Sequence, residues 1–186
     1  MSLIELAGFL VTVVSIWLAT RENVWYYPTG IASVLLYAWI FFSAHLYAET
    51  ALQFVWLALM IYGWYEWLHG GVNRTELPVT KTPAMHWIAI AVTGLVASAA
   101  IFAIQWRFTD NPNPLVDSSI FAWSIVAQWM TARKYIENWW LWIVINIVAV
   151  PLYIHRKIYF TALLYAILFV LAFEGLRKWR RSLASA

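Results

Sequence analysis

Seven apolar runs, each close to the length that crosses a hydrocarbon layer, constrain this chain more than any other feature. They cover residues 3–19, 24–43, 46–68, 85–106, 115–131, 139–154 and 158–178, and charge, proline or glycine clusters separate them. A spanning helix needs ~20 apolar residues, so seven crossings use roughly 140. In a chain of 186 residues this leaves short connections and no room for a soluble catalytic module. Composition agrees: 63% of the residues are hydrophobic and 11% charged, against ~45–50% and ~25% in soluble domains. The expected fold is therefore an all-α integral membrane protein, a single domain over residues 1–186 with about seven transmembrane helices. The first run carries Glu5 and no basic residue before Arg21. It is read as a span rather than a signal peptide, which needs a basic start.

With no cysteine, the chain offers no disulfide, thiolate nucleophile or sulfur metal site. The net charge of +3 does not argue for a nucleic-acid partner, because Lys and Arg stand at span ends, where they orient membrane segments. An external N-terminus puts Arg21, Arg74, Lys81, Arg133, Lys134, Arg177, Lys178, Arg180 and Arg181 in the cytoplasm. Only Arg107, Arg156 and Lys157 then lie outside. The nine-to-three ratio predicts an outside N-terminus and a cytoplasmic C-terminus.

The longest connection, residues 69–84, holds Gly70, Gly71, Arg74, Glu76, Pro78, Lys81 and Pro83 and divides the chain into resembling halves. Leu46-Tyr47 recurs as Ile158-Tyr159, and Gly63 with Trp67 recurs as Gly175 with Trp179, each 112 positions later. Glu22-Asn23 and Trp25 match Glu137-Asn138 and Trp140 at 115, which calls for a three-residue length difference. Three-helix units over residues 3–68 and 115–178 are predicted, with a linking helix at 85–106. An odd helix count inverts each unit relative to the next, and the linker restores parallel orientation, as in known transporter constructions.

Fourteen tryptophans need sorting. Trp25, Trp87, Trp106 and Trp179 are expected as interfacial anchors. Trp56, Trp123, Trp129 and Trp142 fall deeper, where indoles fill cores as readily as they hold ligands. At ~100° per residue, Trp139, Trp142 and Asn146 share one face of span six. Gln53, Trp56 and Met60 repeat that spacing in span three, and Asp117, Phe121, Ser124 and Gln128 form a stripe on span five. Polar groups at membrane depth face a bundle interior or aqueous cavity, so the three faces are expected to line one pocket. The competing role of Gln53, Gln128 and Asn146 is interhelical hydrogen bonding. Asp117, after Asn111-Pro112-Asn113-Pro114, is expected to cap its helix. His45, His69, His86 and His155 stand near span ends without metal-ligand spacing, and neither metal nor cofactor is indicated. Indole faces attract delocalised cations and amides bond hydroxyls or a carboxamide, so a flat, cationic, polar metabolite suits such a pocket.

Two stretches carry a family resemblance: His45-Leu46-Tyr47-Ala48 through Gln53 to Ile61-Tyr62-Gly63-Trp64-Tyr65, and Arg133-Lys134-Tyr135-Ile136-Glu137-Asn138-Trp139. The second runs into a Trp-x-x-Trp-x-x-x-Asn pattern at Trp139, Trp142 and Asn146. Across residues 21–179 the chain resembles the PnuC family of bacterial vitamin transporters, itself similar to the small sugar-carrier (SWEET-like) 3+1+3 fold. The resemblance implies a multi-pass protein of the bacterial inner membrane that mediates facilitated diffusion of nicotinamide riboside. Phosphorylation by a cytoplasmic kinase would then trap the vitamin for NAD synthesis. Trp139, Trp142, Asn146, Gln53, Trp56 and Gln128 are the expected substrate contacts, and a homo-oligomer is left open. The short central loop resembles the thiamine branch, so thiamine or another B vitamin is the alternative cargo. An intramembrane hydrolase is the competing class, but Ser118, Ser119 and Ser124 show no histidine partner at membrane depth.

Overall fold

The computed structural model describes residues 3–185, except the side chain of Ala48. Seven α-helices account for most of them: α1 (Leu3–Thr20), α2 (Tyr26–Ser43), α3 (Tyr47–His69), α4 (Ala84–Phe108), α5 (Pro114–Ala132), α6 (Asn138–His155) and α7 (Tyr159–Ser185). Each helix end falls close to the expected one, except that α7 continues to Ser185. Helices α1, α4, α6 and α7 are long and apolar enough by average to cross a membrane. Helices α2, α3 and α5 are as long, at 18, 23 and 19 residues. Side chains such as Tyr26, Gln53 and Gln128 lower their average hydropathy. Apolar side chains cover the outside, Trp39, Phe54, Ile88, Leu95 and Val170 each being more than half exposed. Such a surface is stable against lipid and not against water.

Six helices close a ring: α1 packs on α2, α2 on α3, α3 on α5, α5 on α6, α6 on α7, and α7 back on α1. Helix α4 stands outside the ring and packs on α5. This is the 3+1+3 arrangement, and one offset relates its two sides. Helices α1, α2 and α3 begin or end 112 positions before α5, α6 and α7 at every connection between them. The three-residue difference inferred from Glu22-Asn23 and Glu137-Asn138 is therefore corrected. Glu22 corresponds in space to Lys134, and both turn the chain at positive φ, 56° and 49°.

Those turns are Schellman caps, in which a left-handed residue lets two amides bond back onto the last helical carbonyls. After α1, Glu22 N–H donates to Ala19 O at 3.0 Å and Asn23 N–H to Leu18 O at 3.1 Å. Lys134 and Tyr135 close α5 in the same way, with bonds to Thr131 O and Met130 O, both 3.0 Å. His45 and Lys157, each at φ 60°, end α2 and α6. None of the four is glycine, so the usual sequence signal for this cap is missing.

The ring has two seams, α3/α5 and α7/α1, closed by matching tryptophans. Trp67 Nε1 donates to Thr131 O and Trp179 Nε1 donates to Ala19 O, both at 3.0 Å. Trp179 is 0% exposed. Its expected place as an interfacial anchor is therefore corrected, because it is the seam counterpart of Trp67. Trp25, Trp87 and Trp106 are exposed. Tyr27 meets Trp67 edge-on with centroids 5.0 Å apart, and Trp139 meets Trp179 edge-on at 5.3 Å. Trp67 and Trp179 are 5.9 Å apart, so these four rings form one floor across the ring. Gly63 and Gly175 admit it: a Cβ there would stand 2.5 Å from the Tyr27 ring, and well inside contact with the Trp139 ring.

Beneath the floor, the connection from α3 to α4 runs across the α5–α6 turn. Thr80 N–H donates to Lys134 O at 3.1 Å and Ile136 N–H to Thr80 O at 3.0 Å. Glu137 Oε2 accepts from the Thr82 amide and hydroxyl at 2.9 and 2.8 Å. Leu77 and Val79 are buried against the floor. Arg133 pairs with Glu66 at 2.8 Å, and Lys134 lies with Nζ 4.6 Å above the Trp67 ring. Burial pulls the Lys134 ammonium below the ordinary lysine range, and the charges of Glu22 and Glu76 oppose that shift.

Candidate substrate cavity

Above the aromatic floor the ring encloses a cavity of about 310 Å³ to which all six ring helices contribute. The six residues expected as contacts all line it: Gln53 and Trp56 from α3, Gln128 from α5, and Trp139, Trp142 and Asn146 from α6. Trp139 is 2% exposed and belongs to the floor, whereas Trp142 is half-buried and stands in the wall. Asn146 and Gln128 are each 2% exposed. Trp56 packs edge-on against Phe121 with centroids 6.1 Å apart.

The polar groups are held in defined directions. Tyr26 O–H donates to Gln128 Oε1 at 2.9 Å, which leaves the Gln128 amide nitrogen with a contact to Met60 Sδ at 3.8 Å. A thioether is a weak acceptor, so this donor is under-used. Asn146 Oδ1 is buried without a hydrogen-bond partner. A buried, unpaired amide oxygen costs free energy unless a further group meets it. Trp142 Nε1 donates to Thr131 Oγ1 at 3.2 Å. Among the described residues, no Lys, Arg, His, Asp or Glu lines the cavity.

Several lining residues escaped the sequence reading, which looked to three helices. Thr12, Ser33, Tyr37 and Tyr165 reach the cavity from α1, α2 and α7, and Thr12 and Ser33 bond each other at 2.7 Å. For two of them the matching halves held a signal, since Tyr165 stands 112 positions after Gln53 and Thr12 stands 112 before Ser124, whereas Ser33 and Tyr37 match Ile145 and Ala149, which do not line the cavity. Trp123 and Trp129 face α4 instead. A Cβ on Gly94 would stand 2.7 Å from the Trp123 ring, and Trp129 packs against His86. The capping role expected for Asp117 is also corrected. Asp117 makes no cap bond; Arg156 grips it at 2.7 and 3.2 Å, and Asn111 donates to it at 2.6 Å. An arginine fork gives the half-buried carboxylate two parallel charge-assisted bonds. Ser118 and Ser119 donate to carbonyls of their own helix. A second cleft of about 510 Å³ lies between α3, α4 and α5. His86, Thr93 and the Trp129 indole are its polar-bearing side chains, so it lacks the convergent amides of the central cavity.

A closed ring of membrane-spanning helices around a cavity with one amide-and-indole face defines a multi-pass membrane transporter. The chain belongs to the nicotinamide mononucleotide transporter family, whose model matches residues 2–181. It is 32% identical to the nicotinamide riboside transporter PnuC of Escherichia coli K12 over 207 residues, covering 98% of this chain and 87% of that protein. It is 30% identical over 181 residues to the riboflavin/roseoflavin transporter RibM of Streptomyces davaonensis, covering 94% and 83%. Its fold matches the crystal structure of the vitamin B3 transporter PnuC with a TM-score of 0.73 at 21% identity, over 96% of this chain and 80% of that one.

Proposed function

We propose that this chain carries nicotinamide riboside across the bacterial inner membrane by facilitated diffusion and does no chemistry on its cargo. The observation that carries the reading is a cavity of about 310 Å³ with indoles and amides on one side and no charged side chain. A pyridinium ring is a delocalised cation that the Trp142 face attracts. Ribose hydroxyls and a carboxamide suit the unpaired Asn146 Oδ1 and the under-used Gln128 amide. A phosphate would be desolvated there with no cation to meet it, which favours the nucleoside over its phosphorylated form. The volume stands near the bottom of the ~300–1,000 Å³ range of small-molecule sites, which favours a nucleoside over a flavin.

With no carboxylate, imidazole, ammonium or guanidinium among its described lining residues, the cavity also supports uncoupled transport, because ion-coupled carriers use such groups near their central site. Accumulation beyond equilibrium then requires a cytoplasmic kinase that phosphorylates the cargo. The nine-to-three distribution of Lys and Arg favours an external N-terminus, with the floor and the α3–α4 connection facing the cytoplasm. The units are assigned to residues 3–68 and 115–178, joined by 85–106. Assembly into a homo-oligomer is a further step that detergent-resistant mass would reveal.

The test is a calorimetric screen of purified protein against nicotinamide riboside, thiamine and riboflavin, followed by uptake into liposomes containing only this protein. The riboside should bind most tightly and equilibrate across the bilayer. Tighter binding of thiamine or riboflavin, or accumulation driven by an imposed proton or sodium gradient, would overturn the corresponding part of the reading.

A further inference from the structure

We infer that Thr131 is the positioning residue of the cavity: its hydroxyl fixes the indole of Trp142 while its carbonyl holds the α3/α5 seam. This rests on the central cavity being the substrate site. Thr131 is 2% exposed and stands one residue before the end of α5. An indole N–H only donates, so at 3.2 Å the Thr131 oxygen must accept from Trp142. The Thr131 proton then goes onward, to Asn138 Oδ1 at 3.1 Å or to Ala127 O at 2.9 Å. Asn138 is oriented to receive it, because its Nδ2 donates to Tyr135 O at 2.6 Å. The result is a directed chain from the cavity wall to the α5–α6 turn. The carbonyl of the same Thr131 accepts Trp67 Nε1 across the seam.

The other half of the molecule separates the two roles. Ala19, 112 positions earlier, gives the same carbonyl bond to Trp179 without any hydroxyl. The counterpart of Trp142 there is Gly30, which has no indole to hold. The seam therefore needs only a carbonyl, and the hydroxyl occurs on the side where an indole faces the cavity. Trp142 is half-buried at the cavity wall, and an indole must keep its face toward a cation to attract it.

Thr131→Val keeps the shape and the carbonyl, and Thr131→Ser keeps the hydroxyl. Calorimetry with nicotinamide riboside should show roughly threefold to tenfold weaker binding for Thr131→Val, the range of one net hydrogen bond, and near-parental binding for Thr131→Ser. On a Trp142→Phe background, which has no N–H, Thr131→Val should change little more, because the two substitutions remove one interaction. Thr131→Ala supplies a second hydroxyl-free variant should the valine fail to fold. Without any ligand, the Trp142 indole N–H resonance, assigned by its loss in Trp142→Phe, should move upfield in both. An unmoved resonance, or an equal loss of affinity on both backgrounds, overturns the role of Thr131 and leaves the cavity reading intact. A moved resonance with parental binding in Trp142→Ala refutes the cavity reading and, with it, any part for Thr131 in holding substrate.

Discussion

The half made of α1–α3 and the half made of α5–α7 share a scaffold and differ where they meet the cavity. Trp67 and Trp179, Tyr27 and Trp139, and Gly63 and Gly175 hold matching positions in the floor and seams. Around the cavity the matches are unequal. Ile16 faces inward where α5 has Gln128, Val34 where α6 has Asn146, and Leu168 of α7 where α3 has Trp56. The amides and indoles of the lining thus gather on the contiguous α3–α5–α6 side, and α7–α1–α2 supplies hydroxyls and phenols set among aliphatic side chains. A duplicated scaffold can hold its shape with identical contacts, whereas an asymmetric ligand needs unlike walls. The seams differ too: the α3/α5 seam carries the Glu66–Arg133 pair and the strap at Thr80, whereas the α7/α1 seam has Ser182 Oγ to Glu22 Oε2 at 3.3 Å.

Substitutions in the shared scaffold should have the largest effects and should be equal on the two sides. Gly63→Val and Gly175→Val each force a side chain into a floor ring, at a cost near the upper end of the ~1–3 kcal/mol usual for overpacking. Thermal unfolding in detergent should show similar losses for both; a mild effect at one alone would break the scaffold equivalence.

Substitutions that copy one wall onto the other come next. Asn146→Val gives α6 the residue α2 carries at Val34, and should weaken nicotinamide riboside binding by roughly 1–3 kcal/mol while leaving unfolding near that of the parent. Titration of the folded variant at parental affinity would make Asn146 a packing residue. Trp142→Ala should lose ~0.5–2 kcal/mol of affinity and Trp142→Phe less, with Trp87→Ala on the outer surface as a control that changes nothing. An equal loss in all three would point to a general disturbance of the bundle.

The smallest effects belong to the paired turns. His45→Gly and Lys157→Gly relieve a left-handed conformation at φ 60° while adding freedom to the unfolded chain. Each should raise stability by less than about 1 kcal/mol, and by the same amount. Chemical denaturation can compare them, and opposite signs would show that the two turns are held by different contacts.

Apolar length and helical period were enough, in the sequence alone, to give seven spans, because a bilayer demands both whatever the tertiary contacts. The same period put Trp139, Trp142 and Asn146 on one face of α6, and Gln53 with Trp56 on one face of α3. What each face meets was beyond it. The bonds that close the ring join residues 64 and 160 positions apart, and periodicity carries no information at that range. Trp179 therefore read as an anchor and proved to be a seam, and Asp117 read as a cap and proved to be half of an ion pair. The 112-residue correspondence was hidden at Glu22 and Lys134 because a Schellman turn constrains φ and hydrogen bonds, not side-chain identity. Only the folded ring decided that the amide and indole faces of α3, α5 and α6 share one cavity with faces of α1, α2 and α7 that carry hydroxyls, phenols and aliphatic side chains. That outcome depends on which helices are neighbours, and neighbours are chosen by packing across the whole bundle.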